Sequence, residues 1–104
     1  VVRHIIFFKF KEDAPAEQVE AAVQALRAIK NDVPQIREFT MGRAQNKGPR
    51  PPRYNWAMVM DFDTFEDLDA YNNSAAHDRV VQEHLVPLVE HITGIDYDLE
   101  PYRA

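Results

Sequence analysis

The first segment of the chain is apolar in both of its alternating phases. Residues 2–10, VRHIIFFKF, are rich in β-branched and aromatic side chains and read as a strand, with Val2, His4, Ile6, Phe8 and Phe10 in one phase and Arg3, Ile5, Phe7 and Lys9 in the other. From Asp13 the period changes. Ala16, Val19, Ala22, Val23, Leu26 and Ile29 recur at helical spacing, with Pro15 in the first turn and Asp32-Val33-Pro34 closing the run. This predicts an amphipathic helix of about four turns. Residues 36–43, IREFTMGR, make a second, weaker strand, and the loop AQNKGPRPPRY at 44–54 carries three prolines and one glycine that forbid regular structure. A strong strand follows in NWAMVMDF at 55–62, with Trp56, Met58, Met60 and Phe62 in one phase and Ala57 and Val59 in the other.

Thr64 and Asp67 frame a capping box ahead of a short helix bearing Phe65, Leu68 and Tyr71. In YNNSAAH, residues 71–77, that helix breaks at two asparagines, and Ser74 is placed to cap a second helix whose first turn carries His77. The second helix continues through residues 78–92, DRVVQEHLVPLVEHI, with Val80, Val81, Leu85, Leu88 and Val89 on one face and a kink expected at Pro87, which lacks a backbone donor. Gly94 reads as its stop, and IDYDL at 95–99 as a final strand.

The order β-α-β-β-α-β predicts an α+β, ferredoxin-like fold: one antiparallel four-stranded sheet with helices on one face. No internal repeat or boundary appears, so residues 1–104 read as one domain, long enough to bury roughly 60–70% of its unfolded surface. A single helix layer covers only one face of a sheet, and strands so covered should alternate between apolar and polar. The first and third strands do not. Ile5, Phe7, Ala57 and Val59 therefore require another cover, and the simplest is the same sheet face of a second copy in a two-fold homodimer.

Charge and composition narrow the partners. Twelve Lys and Arg against seventeen Asp and Glu give a net charge of −5, which turns the chain away from nucleic acid and anionic membranes and leaves small ligands open. The absence of cysteine removes disulfides, thiolate metal sites and a cysteine nucleophile. The longest apolar run, Ile5 to Phe8, is far shorter than the roughly 20 residues that span a bilayer, and no signal-peptide pattern precedes it. A soluble, cytoplasmic protein is expected. There is no Gly-rich phosphate loop, no HExxH and no Ser-His-Asp spacing, and no metal or organic cofactor is expected.

The remaining candidates for chemistry are few. His4 shares the phase of Val2, Ile6 and Phe8, and reads either as a buried histidine satisfied by one hydrogen bond or as a functional one. His77 shares a helix side with Val80 and Val81, so it should point toward the sheet and into the same inter-layer space as His4. Histidines 77, 84 and 91 fall seven apart, roughly 10 Å along a helix, too far for two ligands of one metal. His84 and His91 read as helix-face residues, with His91 near a helix C-terminus. Tyr71 is either a core aromatic or, with its hydroxyl beside the His77 imidazole, half of an acid–base pair: histidine moves a proton near neutrality and a phenol donates to a developing oxyanion. Asp96, opposite in phase to Ile95 and Tyr97, either fixes a histidine tautomer or faces water. Arg43, Lys47, Arg50 and Arg53 make the loop locally positive, either as a solvated loop or as a flap.

The segments VVRHIIFFKFKEDAP, YNWAMVMDFDTFEDLDAY, NNSAAHDRVVQEHLVPLV and IDYD resemble the stress-responsive A/B barrel (Dabb) domain family over nearly the whole chain. The resemblance implies a ferredoxin-like chain that dimerises through its sheet into an α+β barrel. It also implies a spread of roles, from stress proteins to a hydroxynitrile lyase and a polyketide cyclase that closes its substrate without metal or cofactor. The cyclase's catalytic pair matches Tyr71 and His77, its strand-one histidine matches His4, and its C-terminal aspartate matches Asp96. Ser74-Ala75 stand where that cyclase has His-Pro, Trp56 where it has a strand-three histidine, and Leu26 where it has a helix-one tyrosine. The resemblance thus implies a ligand pocket of His4, Leu26, Trp56, Met58 and Asp96 beside a Tyr71–His77 pair, reshaped for a different compound. Two readings follow: a homodimer that binds a small organic ligand between sheet and helices, or a cofactor-independent lyase, cyclase or isomerase acting on a small carbonyl compound.

Overall fold

The sheet is organised around β1 (Val2–Phe10), which pairs antiparallel with β3 (Trp56–Phe62) on one side and β4 (Val89–Asp98) on the other. β2 (Glu38–Arg43) pairs antiparallel with β3, so the strand order is β2-β3-β1-β4, the ferredoxin-like arrangement. The helices are α1 (Ala16–Asp32), α2 (Phe65–Asn72), α3 (Ala75–Val80) and the short α4 (Val86–Leu88), with a π-helical turn at Val81–Leu85 between the last two. The computed structural model describes residues 1–45, 47–100 and Tyr102. Asn46 of the expected 44–54 loop, and Pro101, Arg103 and Ala104, lie outside the described residues.

Periodicity explains the core. Ala22, Leu26 and Ile29, four and three residues apart, put one stripe of α1 onto the sheet. Beneath it lie Phe8, Met60 and Phe62, all fully buried and all from the inner phase of β1 and β3. The outer phase is different. Ile5, Ala57 and Val59 are half-buried, while Phe7, Ile95 and Tyr97 are exposed. Arg3 and Asp61 also stand on this outer face, joined by two hydrogen bonds of 2.8 and 3.0 Å.

The C-terminal third departs from the periodicity reading. The helix expected through residue 92 ends at Leu88, and Gly94 is not its stop but the sixth residue of a ten-residue β4, opposite Ile6 of β1. Pro87 ends the helix rather than kinking it. The Val86 N–H already donates to Val81 O, one residue further back than an α-helix allows, and the Lys11 N–H and Nζ cap Leu88 O at 2.8 Å and Pro87 O at 3.1 Å. The β-branched residues Val89, Ile92, Thr93 and Ile95 then pair with β1 along its full length, and that pairing outweighs a helical pattern that Val89 continues only by chance. His91 is therefore a strand residue, not a helix-terminal one. None of the described helices is long and apolar enough to cross a membrane.

Candidate functional site

Two caps place the site. Thr64 accepts a hydrogen bond from the Asp67 N–H at 3.1 Å and starts α2, whose last turn swings Tyr71 onto the sheet, where it is 2% exposed. Its ring lies 5.6 Å from Phe62 and 5.9 Å from His4, centroid to centroid. The chain then opens at Asn73 and Ser74. Ser74 is extended at φ −77° and ψ 151°, and its hydroxyl donates to Tyr71 O at 2.7 Å while accepting from the His77 N–H at 3.1 Å. One residue thus closes α2 and opens α3. The result is an edge-to-face contact between Tyr71 and His77, with centroids 5.0 Å apart and planes at 78°.

His4 comes from the opposite layer. It is buried on β1 directly across from Asp96 on β4, and its Nδ1 is hydrogen-bonded to Asp96 Oδ1. The carboxylate holds a proton on Nδ1, so Nε2 accepts a hydrogen bond in the neutral imidazole and donates one in the imidazolium. His77 is less enclosed, with 28% of its side chain exposed, yet its Nδ1 is shielded from solvent. Asp78 Oδ1 lies 3.5 Å from that nitrogen but outside hydrogen-bonding geometry, so among the described residues Nδ1 has no hydrogen-bond partner.

These side chains meet at a cavity of about 180 Å³ between the sheet and the helices. His4, Leu26, Met58, Tyr71, Asn72 and His77 line it, and aliphatic side chains from α1, α3, the π-helical turn and β4, with Ile6 of β1, complete the wall. Burial pushes the Tyr71 phenol up to about 12, so it stays a neutral donor across the physiological range. A protonated phenol and two imidazoles around one apolar space can bind a carbonyl or hydroxyl group and can move a proton.

Of the pocket residues expected from the sequence, His4, Leu26 and Met58 line the cavity. Asp96 reaches it only through His4. Trp56 stands elsewhere on the inner face, stacked 6.1 Å from Phe8, edge-on to Phe10, and covered by the Arg43 guanidinium 5.3 Å from its centroid. It is a neighbour of the core toward β2, not a wall of the cavity. His84 lies in the π-helical turn, and His91 lies on the outer face against Tyr54, 6.4 Å between centroids. No described residue of the 44–54 loop lines the cavity.

Sequence reading misses Asn72 and Ile92 as lining residues, and the cavity-facing side of Val81 and Leu85. Asn72 has no periodic signature beside Tyr71. Periodicity puts Ile92 in a helix, and only its pairing with Phe8 turns it inward. The π-helical turn is a local hydrogen-bond choice that the apolar pattern does not encode, although such turns recur at functional sites.

The model of the stress responsive A/B barrel domain matches residues 2–99 of this chain. The chain belongs to the stress-responsive A/B barrel domain family. A stress-response A/B barrel domain-containing protein of Arabidopsis thaliana is 24% identical to this A/B barrel domain over 99 residues. That match takes in 93% of this chain and 36% of the plant protein, so the chain spans about a third of that relative's length. Among solved structures, a hydroxynitrile lyase from Passiflora edulis has a TM-score of 0.80 at 23% identity, over 92% of this chain and 90% of its own. A dimeric protein of ferredoxin-like fold from Bacteroides fragilis scores 0.74 at 25% identity, over 93% and 94% of the two chains. A dimeric ferredoxin-like protein from Thermobifida fusca scores 0.78 at 22%, over 94% and 90%. The fold of the A/B barrel domain is common to all of them.

Proposed function

We propose that this A/B barrel domain, as one unit over residues 1–104, forms a homodimer through its outer sheet face and binds a small organic molecule between sheet and helices. The observation that carries the reading is the convergence of Tyr71, His77 and the Asp96-held His4 on one cavity of about 180 Å³. An apolar cavity of roughly 150 Å³ accommodates benzene, so a ligand of about one ring fits here. Exposed Phe7, Ile95 and Tyr97 support the dimer, since a monomer seldom leaves a face of this kind open to water. Two of the solved relatives are described as dimeric, which points the same way. A net charge of −5 and no cysteine fit a cytoplasmic protein whose partners are its own copy and a small molecule, not nucleic acid or membrane.

A second reading, that the site is catalytic, is favoured by the His4–Asp96 hydrogen bond and by the fold shared with a hydroxynitrile lyase. In that reading His77 takes a proton from carbon or oxygen of a small carbonyl compound and returns it. Tyr71 donates a hydrogen bond to the developing oxyanion, and Asp96 holds His4 to orient the ligand. No cofactor enters the step. The protein then acts as a lyase, cyclase or isomerase.

A thermal-shift screen of small aromatic ketones and β-dicarbonyl compounds tests both readings. Binding predicts ligands that raise the melting temperature of wild type but not of Tyr71→Phe or His77→Ala. Catalysis adds deuterium exchange at the ligand's α-carbon in D2O, lost in both variants. A screen in which nothing stabilises wild type, while His77→Ala is destabilised by about 1–3 kcal/mol, leaves the pair a structural one. Sedimentation of wild type against Ile95→Lys tests the dimer, and a wild-type monomer overturns it.

A further inference from the structure

The lining of the cavity restricts the charge of what enters it. His4, Tyr71, Asn72 and His77 are its polar side chains, the rest are aliphatic or Met58, and among the described residues no lysine or arginine reaches it. A carboxylate stands against each of its imidazoles: Asp96 is hydrogen-bonded to His4, and Asp78 Oδ1 is 3.5 Å from His77 Nδ1. A carboxylate or phosphate entering this space would shed its water without meeting a lysine or arginine, and both imidazoles already have a carboxylate against them. A neutral molecule meets neither penalty.

Asn72 adds selectivity of another kind. It follows Tyr71 in the last turn of α2, is half-buried, and lines the cavity, while its carboxamide hydrogen-bonds to none of the described residues. A carboxamide offers two donors and an acceptor without charge, so it matches a hydroxyl or carbonyl and gives no preference to an ion. Tyr71 and His4, both more buried than Asn72, supply a phenol donor and, in the neutral imidazole, an Nε2 acceptor, the complement of a carbonyl and a hydroxyl.

We propose that the cavity selects an uncharged hydroxy-carbonyl compound of about one ring's size, with the Asn72 carboxamide as the selectivity residue at its polar rim. This rests on the small-molecule reading above. It adds that carboxylates and phosphates are excluded and that position 72 sets the preference between neutral ligands.

Calorimetric titration with three matched probes separates these claims. Acetophenone, meta-hydroxyacetophenone and benzoate are compared at about pH 7.5, where benzoate is ionised and the phenol is not. Wild type should bind both ketones at least about tenfold more tightly than benzoate, and the hydroxylated ketone about fivefold more tightly than acetophenone. Asn72→Leu should erase the second ratio and keep the first, with an unchanged melting temperature. Asn72→Lys should bring benzoate to within about threefold of acetophenone by supplying the missing cation. Benzoate bound as tightly as acetophenone by wild type, or an unchanged hydroxyl preference in Asn72→Leu, overturns the inference and leaves the small-molecule reading standing. If neither ketone binds wild type, both fall together.

Discussion

Tyr71 and His77 meet edge to face, centroids 5.0 Å apart, because the Ser74 hydroxyl sits between their helices, donating to Tyr71 O and accepting from the His77 N–H. The geometry of the pair is thus set by a backbone cap and not by any direct bond between the two side chains. An aromatic contact of this kind tolerates small shifts, whereas a cap fixes where each helix begins and ends. The site inherits its precision from the break between α2 and α3.

Removing that cap should loosen the pair and cost stability. Ser74→Ala is expected to lose about 1 kcal/mol, seen as a drop in melting temperature of roughly 4–8 °C for a domain of this size. Ser74→Thr keeps the hydroxyl and should recover most of it. Thermal melts of the three proteins decide the matter: if Ser74→Ala melts with wild type, the cap does not hold the helices in place.

Burial of Tyr71 has a consequence at high pH. Its folded-state value is pushed up to about 12 from the ordinary 10 because the phenolate would be stranded in the core. The unfolded chain therefore loses this proton first, and stability present below about pH 10 is lost as the pH rises toward 12. Ultraviolet titration of phenolate absorbance should show one tyrosine ionising about two units late, and Tyr71→Phe should remove that late step. A Tyr71→Phe curve that still contains it would assign the late tyrosine to another position.

Much of this is legible in the sequence, and the exceptions share a cause. The inner phase of β1 and β3, the stripe Ala22, Leu26, Ile29 on α1, and the caps at Thr64 and Ser74 are local patterns, and each appears where its periodicity or cap chemistry puts it. The inward turn of His77 follows from its spacing to Val80. What fails is the stretch from Val81 to Gly94, where Val89 and Ile92 fit a helix by spacing but are strand residues by pairing with Phe10 and Phe8. Strand pairing is a long-range fact, and no window of one chain segment contains it. Trp56 departs for a related reason: its phase is right, but its position along the strand, opposite Phe8, carries it past the cavity toward β2.

On the outer face, the Arg3–Asp61 pair should govern acid stability. Two hydrogen bonds from Arg3 hold the Asp61 carboxyl below the usual carboxylate range, against the opposing cost of burial. Below about pH 4 the unfolded chain binds this proton before the folded one, so the contribution is full above that pH and lost as the pH falls through the folded value. Asp61→Asn should cost about 1 kcal/mol at neutral pH in the single chain, a modest figure because there a good part of the Arg3 side chain meets water. Urea unfolding at several acid pH values provides the check. The gap between wild type and Asp61→Asn should narrow as pH falls from 4 to about 2, and a gap that stays constant would place the acid sensitivity in other carboxylates.

Gly94 leaves room for the side chain of Ile6, a wall of the cavity. It faces Ile6 across the β1–β4 pair, and a Cβ at position 94 would stand 2.5 Å from Ile6 Cδ1 and 3.0 Å from Ile5 O. The isoleucine methyl is the end of a flexible side chain and can turn away, while the carbonyl belongs to a strand held on both sides. Because Ile6 also lines the cavity, its displacement in Gly94→Ala should reduce the space left for a ligand. Gly94→Ala is expected to lose about 1–2 kcal/mol by overpacking and to weaken binding of any ligand that fills the cavity. Shortening the neighbour in the Gly94→Ala, Ile6→Val double variant removes the closest clash, so the two changes should be coupled favourably and binding should return toward wild type. Melting temperatures and ligand affinities of the four proteins in this cycle test the point. Additive losses with no recovery in the double variant would show that the Ile5 carbonyl, and not the Ile6 methyl, sets the requirement for glycine.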